Sequence, residues 1–126
     1  MSITLPTEKI PAEKSNPKQL IIFSKPKQGK STALAALPKA LCIDLEDGGY
    51  DYIDAVKIKA HTVQDLKEIC KAIKAENYPY EFIVLDTITA LEDMVKPVAL
   101  QLYLNTVQGS KFTGRNILDA PMGAGL

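Results

Sequence analysis

"LIIFSKPKQGKSTALAAL", residues 20–37, is the stretch whose reading decides the fold. Leu20, Ile21, Ile22 and Phe23 form an unbroken apolar run with β-branched residues at its centre. Such a run predicts a strand buried on both faces. "STALAAL" predicts a short helix, stopped within about a residue by Pro38. Between them stand Gly29, Lys30, Ser31 and Thr32. A glycine, a lysine and a hydroxyl, placed after a strand and opening a helix, are what a phosphate-binding loop needs. Gly29 lets the backbone curl so that successive N–H groups turn toward one anion. Lys30 reaches the β- and γ-phosphates, the Ser31 hydroxyl is a Mg²⁺ ligand, and Thr32 adds a hydroxyl near the α-phosphate. The candidate nucleotide-binding segment is therefore Ser24, Lys25, Pro26, Lys27, Gln28, Gly29, Lys30, Ser31 and Thr32. Such loops usually open with a glycine five positions before the second one. Ser24 holds that place here, and a serine keeps the turn if its φ stays negative, so weakened rather than abolished binding is expected.

Downstream, "FIVLD" is another buried-type strand, and its last residue, Asp86, is a carboxylate at a strand's C-terminal end. That end is where α/β sheets bind ligands, and an aspartate there can hold Mg²⁺ through its water shell. Asp86 joins Ser31 as a candidate metal residue. A third strand, "ALCIDLE", closes on the turn signal "DGG" and gathers Asp44, Glu46 and Asp47. Two readings stand for this cluster. It is a solvated acidic turn, or Glu46 polarises the water that attacks a γ-phosphate, which hydrolysis requires and binding does not. A calcium loop is excluded, because position twelve counted from Asp44 is Ala55. "AVKIK" is a candidate short strand. Thr62, with Asp65 three residues on, predicts a helix start, and Val63, Leu66, Ile69, Cys70 and Ile73 recur at helical spacing. Residues 87–104 predict a helix with a kink or restart at Pro97, and residues 105–126 read mostly as loop. Strands alternating with helices argue for parallel pairing, so the class is α/β.

The totals set outer bounds. With 126 residues, 46% hydrophobic and 24% charged, the chain suffices for one small domain with a real core. Net charge is zero and Arg115 is the only arginine, which argues against an arginine-based readout of nucleic acid. The same scarcity argues against a P-loop small-molecule kinase, which normally brings lid arginines. Cys42 and Cys70 are read as buried thiols of a reducing compartment. No apolar run reaches the ~18 residues of a membrane span, and no signal-peptide pattern opens the chain, so a cytoplasmic location is expected. Residues 1–18, polar and carrying three prolines, are expected to form an arm, with the domain over residues 19–126. Tyr50, Tyr52, Tyr78, Tyr80 and Tyr103 are scattered and serve packing or the surface.

In the order "GKST", "LCIDLEDGGYD", "IVLDTITALEDM", the chain resembles RecA-like P-loop ATPases, in particular the phage-encoded AAA-type recombination and single-strand-annealing group. The resemblance covers roughly residues 19–126. It implies a three-layer α-β-α fold with a mostly parallel sheet, ATP and Mg²⁺ as cofactors, and phosphate and metal binding by Lys30, Ser31 and Thr32. It further implies Asp86 as the second-motif aspartate and Glu46, in "IDLE", as the catalytic carboxylate. Single-stranded DNA and a homo-oligomer are the implied partners besides ATP and ADP. Relatives continue through further strands, so this chain is expected to be the N-terminal part of such a domain, with "APMGAGL" a loop entering the rest. One later strand should lie between the strands at residues 20–23 and 82–85. Direct pairing of those two would indicate the kinase-like branch instead. A non-catalytic, nucleotide-dependent interaction module is a further alternative.

Overall fold

The computed structural model describes Thr7, Glu8 and residues 18–121. The expected arm over residues 1–18 lies almost wholly outside the described residues, as do residues 122–126. Among the described residues three parallel strands form the sheet, β1 (Ala40–Asp44), β2 (Lys57–Lys59) and β3 (Phe82–Asp86), in the order β2-β1-β3. β1 is buried along its whole length because it alone has a strand on each side and side-chain layers on both faces. In register, Cys42 stands beside Val84 and Asp44 beside Asp86. Two aspartates thus end neighbouring strands at the same edge.

Helices cover both faces. On one, Leu41, Ile43 and Leu45 pack with α2 (Val63–Ala75) through Leu66, Ile69 and Ile73, and with α3 (Ile88–Leu104) through Leu91 and Met94. On the other, Cys42, Val84 and Tyr50 pack with Leu34 and Ala35 of α1 (Lys30–Ala35) and with Ile53 and Ala55. The architecture is the expected three-layer α/β arrangement with parallel strands. Both longer helices start on the side chains their sequences offer. Thr62 accepts from Asp65 N–H while the Asp65 carboxylate accepts from Thr62 N–H at 2.9 Å, a complete capping box. Thr87 caps α3, which runs through Pro97 to Leu104 without a break. Lys96, next to the proline, pairs with Glu92 and Asp93 one turn back. The expected loop after residue 104 contains two short 3₁₀ turns, Gly109–Lys111 and Ile117–Asp119.

Three expectations need correction. Residues 20–23 are in no ladder, and Phe23 is 92% exposed. An apolar run supplies the side chains of a buried strand, but a strand also needs a neighbour to bond, and none pairs with these residues among those described. Accordingly the direct pairing of residues 20–23 with β3, the mark of the kinase-like branch, is not formed. β3 is likewise less buried than its composition suggests, with Phe82, Ile83 and Leu85 each 40% exposed or more, because its outer edge has no paired strand among the described residues. Of the two thiols, Cys42 is buried but Cys70 is exposed, since it lies beside rather than on the apolar stripe of α2.

Candidate nucleotide-binding site

The loop before α1 is shaped by two left-handed residues, Lys27 at φ 61° and Gly29 at φ 80°. Gly29 meets this requirement without strain, and a Cβ built there would touch nothing within 4 Å among the described residues. Ser24 is not among the left-handed residues, which is the condition for serine to replace the usual glycine. Its hydroxyl donates to the Lys25 carbonyl at 3.2 Å. A cavity of about 240 Å³ lies over this loop, lined by Ser24, Lys25, Lys27, Gln28, Gly29, Lys30, Ser31 and Thr32. Pro26, grouped with them in the sequence, does not line it. Gly49 and Ile53 do, and the sequence reading missed both. They arrive there because the turn after β1 folds back over the loop. Lys57 ties that turn down by donating to the carbonyls of Tyr50 and Ile53, and Lys59 pairs with Asp51 at 3.0 Å.

Asp86 is the point of convergence. Ser31 Oγ donates to its Oδ2 at 2.5 Å, and Lys30 Nζ stands 3.7 Å from its Oδ1. The Asp86 side chain is only 7% exposed, and its carboxylate is held by one cation and one hydroxyl, both from the first turn of α1. The metal-residue pair read from the sequence, Ser31 and Asp86, is thus in direct contact.

Glu46 is exposed and fixed at two points. Its N–H donates to Asp44 Oδ1 at 3.1 Å, and its Oε1 accepts from the Thr87 hydroxyl at 2.6 Å. It therefore reaches the residue that follows Asp86. The acidic cluster of the sequence divides. Asp47 is solvated, Glu46 is at the surface, and Asp44 is buried with its Oδ2 bonded to nothing among the described residues. Tyr50 is buried on the same face, and its hydroxyl also lacks a partner among the described residues. Burial first, then the nearby Asp86 carboxylate and Cys42, push its ionisation far above the ordinary tyrosine range. Tyr50 stays neutral at any working pH and so leaves the charge at this edge to the carboxylates and Lys30. Thr87, read from the sequence only as the first residue of the helix over 87–104, is its cap, and a threonine directly after a strand-ending aspartate and three before Ala90 is a legible cap signal.

A parallel sheet between two helical layers, with a cradle-shaped loop at its carboxyl edge, is a partial P-loop NTPase fold, since among the described residues no strand before the loop joins the sheet. A model of the AAA domain family matches residues 16–113, well over half of the chain, and the chain belongs to that family. It carries a nucleotide-binding, ATPase-like core of the AAA type. No curated protein and no solved structure matches it. No helix among the described residues is long and apolar enough to cross a membrane.

Proposed function

We propose that the chain is the ATP-binding core of a RecA-like ATPase of a phage or prophage DNA recombination system, hydrolysing ATP with Mg²⁺. The observation that carries the nucleotide-binding part is the convergence of Lys30 and Ser31 on Asp86 at the carboxyl edge of the sheet, and hydrolysis rests on Glu46. The recombination setting, single-stranded DNA as partner and a homo-oligomeric assembly rest on the sequence resemblance. Two free thiols, one of them exposed, suit a reducing cytoplasm.

The residues present fit a magnesium nucleotide. Lys30 occupies the Asp86 carboxylate as a cation would, the Ser31 hydroxyl is already on it, and Gly29 leaves open space beside the loop. Ser31 and Asp86 would hold the ion, which when bound neutralises charge on the phosphates. Lys27 to Thr32 would bind phosphate through backbone N–H groups, the Lys30 ammonium and the Thr32 hydroxyl. Glu46 Oε1 is engaged by Thr87, which leaves Oε2 to accept a proton from the attacking water.

Single-turnover phosphate release, with and without single-stranded DNA, tests this reading. Release that DNA stimulates is the expected result. Glu46→Gln should lower kcat sharply while leaving ATP affinity nearly unchanged, since the carboxylate acts on water and not on phosphate. A kcat within about twofold of the parent would return Glu46 to the role of a solvated turn residue. Nucleotide binding with no release by the parent would identify a non-catalytic interaction module.

A further inference from the structure

We propose that Thr87 is a positioning residue that fixes the orientation of the Glu46 carboxylate, a role that rests on the reading of Glu46 given above. Glu46 lies at the surface on a long side chain, and nothing in its own turn restrains its carboxylate. Left to itself such a side chain samples several rotamers, and a base must be within hydrogen-bond reach of its proton. The Thr87 hydroxyl has a single proton, and its surroundings determine where that proton goes. Its oxygen accepts from the Ala90 N–H at 3.3 Å, as the cap of α3, so the hydroxyl proton is left to donate to Glu46 Oε1 at 2.6 Å. The donor is anchored as well. Thr87 follows Asp86, whose carbonyl accepts from Leu45 N–H at 2.8 Å. The chain ends carrying Glu46 and Thr87 are therefore tied together at the backbone one residue before the side chains meet. At its other end Glu46 is held by the buried Asp44 through its own N–H. Both ends of Glu46 are fixed, and among the described residues nothing bonds its Oε2.

A cap and a positioning donor differ in what they tolerate, and this gives the test. ATP turnover, the KM for ATP, affinity for Mg-ADP and thermal melting are measured for the parent, Thr87→Ala, Thr87→Ser and Thr87→Asp. Thr87→Ala removes the donor, and kcat should fall roughly tenfold or more, with KM and Mg-ADP affinity within about twofold of the parent. Thr87→Ser restores the donor and should recover most of the rate. Aspartate caps a helix as well as threonine does, but it cannot donate when ionised and sets a like charge against Glu46. Thr87→Asp should therefore melt near the parent and turn over at least as slowly as Thr87→Ala. If Thr87→Asp works at the parent rate, capping alone accounts for Thr87 and the proposal fails. It also fails if Thr87→Ala loses Mg-ADP affinity in proportion to rate. Should Thr87→Ala not fold, the serine and aspartate variants decide. A parent that binds Mg-ADP through Lys30 yet releases no phosphate overturns the proposal and leaves the nucleotide site standing. A parent with no Lys30-dependent binding overturns both.

Discussion

Lys30→Ala should have two measurable effects that come from one geometry. Lys30 Nζ stands 3.7 Å from Asp86 Oδ1, with its side chain 26% exposed and that of Asp86 7% exposed. Two unit charges at this distance attract by roughly 4 kcal/mol at an effective dielectric constant near 20. Desolvation and ordering offset much of that attraction, but removing one partner leaves the other charge stranded. A loss of about 1–3 kcal/mol of stability is expected, because Asp86 would keep only the Ser31 hydroxyl. At roughly 4 °C per kcal/mol for a domain of this size, the melting temperature should fall by several degrees. The second effect is on ligand. Loss of a charged phosphate contact should weaken Mg-ATP or Mg-ADP binding tenfold or more, ~1.4 kcal/mol or above. Calorimetric titration of parent and variant, beside denaturant unfolding without nucleotide, reads both quantities. Equal affinity would refute the phosphate role of Lys30, and equal stability would refute the Lys30–Asp86 pair as an energetic contact.

Gly109→Ala should destabilise the segment after α3 by about 1–3 kcal/mol, because a Cβ there would lie 1.9 Å from the Tyr103 carbonyl oxygen and backbone would have to move. Denaturant unfolding followed by circular dichroism checks it. Asp65 should give α2 an acid-sensitive start. The N–H of His61, then the hydroxyl and N–H of Thr62, hold its carboxyl below the ordinary aspartate range. Its folded pKa is depressed, so its contribution is present above the unfolded value near 4 and is lost as pH falls through the lower folded value. Asp65→Asn should flatten that part of the stability profile below the unfolded value near pH 4, measured by denaturant midpoints across the acid range.

Much of this arrangement is legible in the sequence because it rests on local chemistry. The capping box of Thr62 and Asp65 is spelled by two residues three apart, and "LCID" and "FIVLD" announce strands that deliver carboxylates to one edge. What escaped depends on neighbours distant in the chain. An apolar run does not reveal whether a second strand lies beside it, and so residues 20–23 read as buried and are exposed. Tyr50 and Tyr52 look alike on paper, yet one is 1% exposed and the other fully so, since only Tyr50 faces Cys42 and Val84. Asp44 reads as one of three turn carboxylates. Strand alternation instead puts it on the inner face beside Asp86, with Gly49 so close that a Cβ there would stand 3.1 Å from its Oδ1. The Glu46–Thr87 bond joins residues 41 apart, and no spacing rule reaches that far.

The hydrogen-bond phase of β3 has a consequence for how the strand meets solvent. Phe82 N–H points to the Lys39 carbonyl, and the Asp86 carbonyl receives Leu45 N–H, so the even-numbered residues of β3 turn their backbone polar groups toward β1. Ile83 and Leu85 then direct theirs the opposite way, to the side where no strand is paired among the described residues. Amide deuteration should therefore be uneven along five consecutive residues. Val84 and Asp86 should keep their protons for times set by opening of the sheet, while Ile83 and Leu85 should lose theirs at rates closer to those of free peptide. A strand that labels at every second position is the signature of a ladder bonded on one side. Any added chain that slows Ile83 and Leu85 to the rate of their neighbours would have closed the other.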